Sequence, residues 1–269
     1  MTKTFRLIEV YHMGMAPNKN GRLERWQAAY IAAAAIMLPV SPLLYLQGQY
    51  TRRKVGVLPD AAGERTGIIG EEGEPVRLLV IGESTVAGLG ARTHKEALAG
   101  QFAERLARRI GRSVEWTVIG KNGVTARRTI DELVPQVPDK KFDHILLGIG
   151  GNDVMKLSSP KKWRRDMLEL LGILRDKNPD AVIFISNCPM IVLSPVIPHP
   201  IKFLLWELSK MHDKNIKDFT AEMDRVHYYP QPVDVEVEGF FADGIHPSEQ
   251  GYSDWAEAMM KHFDTQHKW

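Results

Sequence analysis

The chain has 269 residues, of which 44% are hydrophobic and 25% charged, with 35 Lys and Arg against 33 Asp and Glu and a single cysteine. A formal charge of +2 argues against a dedicated nucleic-acid binder, which carries a marked basic excess or stripe. The composition excludes a disordered polyelectrolyte and a polytopic membrane protein, and the lone Cys188 excludes an internal disulfide framework or a thiolate-rich zinc site.

Residues 1–25 read as a polar segment. Between Arg25 and Arg52 no charged residue occurs, so residues 26–50 read as an apolar helix that anchors the protein to a membrane. A helix over Ala28–Leu46 would span about 30 Å, one bilayer core. Trp26 and Tyr30 at one end and Tyr45 and Tyr50 at the other suit the two interfaces. Against this, alanines insert only marginally and Pro39 and Pro42 interrupt the helix, so a buried or partner-facing helix in a cytoplasmic protein is the alternative. Lys19, Arg22 and Arg25 face Arg52, Arg53 and Lys54 across the segment, which leaves the side of the membrane undetermined. A cleaved signal peptide fits poorly because the apolar run starts late. Residues 51–75, with Gly, Pro and Glu and no periodicity, read as a linker.

Residues 76–269 then alternate apolar runs with amphipathic stretches. Strands are expected at Val76–Ile81, Val114–Ile119, Asp143–Ile149, Ala181–Ile185 and Val226–Tyr229. Helices are expected at Glu96–Ile110, where Leu98, Phe102, Leu106 and Ile110 recur once per turn, and at Thr125–Val134, Lys161–Arg175, Ile201–Met223 and Ser248–His262. Continuously apolar strands alternating with helices predict an α/β fold, with a parallel sheet covered on both faces.

In such sheets ligands bind beyond the carboxyl ends of the strands. The segments that follow the strands are Gly82-Glu-Ser-Thr-Val-Ala-Gly88, Gly120-Lys-Asn-Gly-Val-Thr125 and Gly150-Gly-Asn-Asp153. Phe241-Ala-Asp-Gly-Ile-His-Pro247 precedes the last helix. Together they offer a hydroxyl, free backbone N–H groups, a carboxamide, and an acid beside an imidazole, which are the parts of an acyl-transfer site. Each segment alone has a plain structural alternative: Ser84 as a helix cap, Gly82 and Gly123 as turn residues, Asn152 as a loop brace. Asp-x-x-His also occurs at Asp224–His227 and Asp264–His267. Only Asp243–His246 runs into Pro247-Ser248-Glu249-Gln250, a turn with a capping residue opening a helix. A phosphate-cradling loop over Gly82–Gly90 is rejected, since no Gly-Lys-Ser/Thr follows and no acid ends the second strand.

Taken in order, the four segments resemble the SGNH or GDSL hydrolases, a family of esterases, lipases and thioesterases, and the resemblance runs from about Val76 to the C-terminus. It implies a three-layer α/β/α fold with a five-stranded, flavodoxin-like parallel sheet. It implies Ser84 as nucleophile, Asp243 and His246 as its partners, and Ser84, Gly123 and Asn152 as oxyanion donors, with Ala126 as the alternative to Gly123. Glu83 stands where the family usually has aspartate, as a support rather than a reactant. The activity implied is hydrolysis of a carboxylic ester, small or lipid-derived, with no metal or organic cofactor. Acyl transfer to an alcohol on the same site is the alternative, and an inactive binding module a more distant one. No nucleic acid is expected as a partner; a membrane is, through residues 26–50.

Other residues carry less. The remaining histidines show no metal-ligand spacing, and Cys188 reads as a buried structural thiol. The Asn187–Pro200 stretch, with Leu204, Leu205 and Trp206, reads as an acyl-binding wall or lid, or else as a loop packed on the core. Lys121, Arg127 and Arg128 read as a solvated face rather than a site for an anionic head group.

Overall fold

The computed structural model describes residues 17–70 and 73–269. The expected polar segment 1–25 falls outside the described residues as far as residue 16. From Pro17 the chain is already helical, through α1 (Pro17–Met37), a single 3-10 turn and α2 (Ser41–Val55). Pro39 and Pro42 therefore bend the apolar helix without ending it, because each stands in the first turn of the segment it opens, where no backbone donor is needed. The helix is longer than the expected 26–50 and takes in the start of the segment read as a linker. It is pinned to the rest of the protein by Arg22 to Asp218 at 2.9 Å, Lys161 to Glu24 at 2.7 Å, the Tyr30 hydroxyl to the Leu157 carbonyl at 2.7 Å, and Gln47 Nε2 to the His199 carbonyl at 2.9 Å.

The remaining elements are β1 (Thr66–Ile69), β2 (Val76–Gly82), α3 (Leu98–Ile110), β3 (Val114–Gly120), α4 (Ala126–Arg128), β4 (His144–Gly148), α5 (Gly151–Met155), α6 (Pro160–Lys177), β5 (Val182–Ile185), α7 (Ile201–Thr220), β6 (Val226–Tyr228) and α8 (Glu249–Phe263). The sheet order is β1-β3-β2-β4-β5-β6. Its last five strands are parallel and follow the flavodoxin order. The sheet has six strands rather than the expected five, because β1 adds an antiparallel edge to β3. That strand comes from the supposed linker. It is short and half-exposed, and it contains Gly67, where a Cβ would stand 2.5 Å from the Trp116 ring, so it carries almost no apolar pattern. The helix expected over Thr125–Val134 is instead a run of short helical turns closed by the 3-10 turn at Val134–Gln136.

Side-chain alternation along the buried strands loads both faces. Leu79, Ile81, Ile145, Leu147, Ile183 and Ile185 pack on Trp163, Met167, Leu170 and Leu174 of α6. Leu78, Val80, Leu146 and Phe184 pack on Phe102 and Leu106 of α3 and on Tyr252, Met259 and Phe263 of α8. Ser248 caps α8 by accepting from the Gly251 N–H at 3.0 Å, as its spacing predicts.

Two contacts tie α8 to the loop after β2: the buried Tyr252 hydroxyl donates to the Leu89 carbonyl at 2.6 Å, and Arg92 Nε pairs with Glu249 at 2.8 Å. Tyr252→Phe leaves the Leu89 carbonyl buried and unpaired, so urea denaturation should show a loss of about 1–3 kcal/mol. An unchanged midpoint would mean that another donor reaches that carbonyl.

Candidate active site

The carboxyl edge of the sheet is built on three glycines in one register row, Gly82 paired with Gly120 on one side and with Gly148 on the other. A Cβ on Gly82 would lie 2.1 Å from the Gly148 carbonyl oxygen, and one on Gly120 would lie 2.4 Å from the Ala87 nitrogen. Bare backbone is what allows the turn after β2 to fold down across its neighbours. There the Glu83 N–H donates to the Gly148 carbonyl at 2.9 Å, and the Val86 and Ala87 N–H groups both donate to the Glu83 carbonyl at 2.9 Å. Ser84 stands at the top of this turn, 8% exposed.

Glu83 grips the loop after β4. Its Oε1 accepts the Gly151 N–H at 2.6 Å, and its Oε2 accepts the Asn152 N–H at 2.7 Å and the Asn152 side-chain amide at 2.6 Å. Burial raises the Glu83 carboxyl to about 7; the donors on Asn152 and Gly151 oppose that rise, and nearby Asp153 adds to it. The family resemblance implies a support at Glu83, but its three-way grip left no mark in the sequence.

The next residue, Asp153, is fully buried and accepts the Ala126 N–H at 2.8 Å and the Ser158 hydroxyl at 2.9 Å. The Ala126 N–H is thus committed to Asp153. Gly123 sits in a left-handed turn at φ +81°, and its carbonyl accepts from Lys156 Nζ at 2.7 Å and from the Arg128 guanidinium at 3.2 Å. Among the described residues, the backbone N–H groups of Ser84 and Gly123 have no protein acceptor.

Asp243 and His246 meet through a turn that the carboxylate itself holds. Oδ1 accepts the Ile245 N–H at 2.8 Å and the His246 N–H at 2.7 Å, while Oδ2 lies 2.8 Å from His246 Nδ1. A carboxylate only accepts, so Nδ1 carries a proton, and in the neutral ring that tautomer leaves the lone pair on Nε2. Burial alone would raise the Asp243 carboxyl; the bonds from the His246 ring and the two backbone donors outweigh it and hold the group below the usual carboxylate range. The other Asp-x-x-His pairs are engaged elsewhere. Asp264 accepts from Arg109 Nε at 2.7 Å and from the Trp269 indole, and His227 stacks on Phe184.

Ser84, Gly123, Asn152 and His246 line one continuous cavity of about 2000 Å³. Met190, Ile191, Leu193, Ile197, Leu204 and Leu205 of the expected wall line it as well, whereas Trp206 lies under the Lys210 ammonium. Tyr30, Met37, Leu44 and Gly48 of the N-terminal helix are a second wall, which no motif signalled. Cys188 is buried, its thiol pushed up by that burial. Lys121 and Arg128 pair with Glu132, and Arg127 with Glu169 and Asp131, as a solvated charged face would. Among the described residues no group of three or more His, Cys, Asp or Glu is placed to hold a metal ion.

Residues 80–253 match the model of the GDSL-like Lipase/Acylhydrolase family. Among solved structures, TesA superposes with a TM-score of 0.54 at 18% identity, over 71% of this chain and 99% of its own. The lipase Lip_vut3 from a goat rumen metagenome superposes with a TM-score of 0.56 at 15% identity, over 71% and 96%. The salicylyl-acyltransferase SsfX3 from a tetracycline biosynthetic pathway superposes with a TM-score of 0.50 at 16% identity, over 73% and 56%. At such identities these likenesses speak for the fold. No curated protein matches by sequence.

Proposed function

The chain belongs to the GDSL-like lipase/acylhydrolase family, and on that premise we propose that it hydrolyses carboxylic esters through Ser84, His246 and Asp243. The observation that carries the proposal is the His246 ring, held 2.8 Å from the Asp243 carboxylate and facing the cavity that Ser84 also lines. A serine hydroxyl is a poor nucleophile at neutral pH and needs a base. His246 Nε2 takes the Ser84 proton as Oγ bonds to the ester carbonyl carbon, and Asp243 steadies the imidazolium. The carbonyl electron pair moves onto oxygen, where the N–H groups of Ser84 and Gly123 and the second Asn152 amide hydrogen receive it. The tetrahedral species collapses and the C–O bond to the alcohol breaks. The alkoxide leaves with the proton from His246, and Ser84 stays acylated. Water then attacks the acyl-enzyme, gives a proton to His246, and releases the carboxylic acid as Ser84 recovers its own.

Residues 76–269 are the hydrolase domain in this reading, with β1 added to the sheet edge. The helix Gly21–Val55, which is 35 residues long and contains an 18-residue stretch with a mean hydropathy of 1.8, associates with a membrane. Purified full-length protein should release p-nitrophenol from p-nitrophenyl butyrate in water without added metal. Turnover that appears only with an alcohol acceptor would replace hydrolase by acyltransferase. Tight binding with no turnover under either condition would sink both.

A further inference from the structure

The cavity that holds Ser84 and His246 is larger than a short ester needs. It measures about 2000 Å³, against roughly 300–1,000 Å³ for pockets that enclose drug-sized ligands. Much of the surplus is walled by the N-terminal helix, which begins and ends before the family match starts at residue 80 and which the chemistry at Ser84 does not use. Tyr30, Met37, Leu44, Gly48, Thr51 and Val55 line the cavity and are half-buried. Their spacings of seven, four or three residues put them on one stripe of the bent helix.

The other side carries Ile31, Ile36, Leu43, Leu46 and Tyr50, all exposed and none of them lining the cavity. Apolar residues gathered in this way mark a contact surface rather than ordinary scatter. The helix does not project from the protein. Arg22 holds one end to Asp218, and Gln47 holds the other to the His199 carbonyl. Its last turn carries Arg52, Arg53 and Lys54. A helix lying flat along a domain, apolar outward and basic at its end, fits the headgroup layer of an anionic bilayer. One face thus meets lipid while the other lines the reaction cavity.

We propose that the ester this site takes is a membrane lipid, whose acyl chain leaves the bilayer and runs between α1–α2 and the wall from Met190 to Leu205, setting its carbonyl at Ser84. The proposal rests on the ester-hydrolase reading for its chemistry and names the substrate class of that same site. Bulk on the inner stripe should obstruct the chain and spare the reacting carbon. In the full-length protein, Leu44→Trp and Gly48→Trp should each lower kcat/KM for p-nitrophenyl palmitate in detergent micelles by about tenfold or more. The loss on the butyrate ester, whose chain is too short to run along the helix, should be at least about fivefold smaller, and an unchanged thermal denaturation midpoint reports that the variants are folded. Equal losses on both esters, or no loss on palmitate, would overturn the channel.

Binding of a pyrene-labelled fatty acid, read without turnover, separates this proposal from the reaction itself. Weaker binding in the two variants of a protein that cleaves no ester would remove the hydrolase reading and keep the channel; unchanged binding would remove the channel. Ile36→Glu with Leu43→Glu on the outer stripe tests the source of the chain. The pair should lose co-sedimentation with phosphatidylglycerol vesicles and turnover of a vesicle-embedded ester, while micellar palmitate is still cleaved. Vesicle binding and turnover equal to those of the unaltered protein would overturn the bilayer as the source.

Discussion

Ser84→Ala should lower kcat on p-nitrophenyl butyrate by roughly 10⁵-fold or more, in the range of other serine hydrolases stripped of their nucleophile. The thermal denaturation midpoint should not move, because the change removes one oxygen at the edge of a cavity and leaves the glycine-floored turn intact. His246→Ala should cost about as much, and the double variant should be no worse than either single one, since both residues serve one covalent route. Asp243→Asn should cost roughly 10⁴-fold by allowing the wrong tautomer of His246. It also puts an amide where the Ile245 and His246 N–H groups now find a carboxylate oxygen. Steady-state kinetics on the three single variants and the double one checks the set. If Ser84→Ala keeps more than about a tenth of the activity, another nucleophile is at work and the proposed mechanism falls.

Why so much of this was legible follows from where the physics is local. β2, β4 and β5 lie inside the sheet and are apolar on both faces, so each reads as an unbroken run such as Leu78-Leu-Val-Ile81 whatever surrounds it. In a parallel sheet those runs all end on one edge, which is why Gly82-Glu-Ser84, Gly150-Gly-Asn152 and the Asp243 turn could be read as neighbours from order alone. The remainder is long-range. β1 exists because β3 offers it an edge and the Trp116 ring covers Gly67, neither of which leaves a mark on residues 66–69. That Asp153, 27 residues away, takes the Ala126 N–H left no mark on the second segment either. Apolarity revealed the N-terminal helix but not its inner stripe. Resting one side of a largely apolar helix against a cavity changes no residue type.

Asn152→Ala should lower kcat by about 10²–10³-fold with little change in KM, the signature of a donor that acts on the transition-state oxygen rather than on the bound ester. Asn152 donates one amide hydrogen to Glu83 at 2.6 Å, so Glu83 sets where the other one can act. Glu83 is therefore a positioning residue, and its ionisation can be read in two ways. Burial raises its carboxyl from 4.5 to about 7 in the folded protein. The folded chain keeps a proton that the unfolded chain gives up, so stability from this group is full below pH 4.5 and declines as pH rises toward 7, by about 3 kcal/mol in all. Activity should run the other way. The carboxylate only accepts and holds all three donors, whereas the acid turns one oxygen into a donor and loosens the Gly151–Asn152 loop. Glu83→Gln removes the ionisation and sets an amide N–H against those donors. It should therefore flatten the stability slope between pH 5 and 8 and lower kcat about tenfold above pH 7. A variant with the same stability slope as the unaltered protein would show that Glu83 does not titrate in this range. A variant with full kcat above pH 7 would show that the loop stands without it.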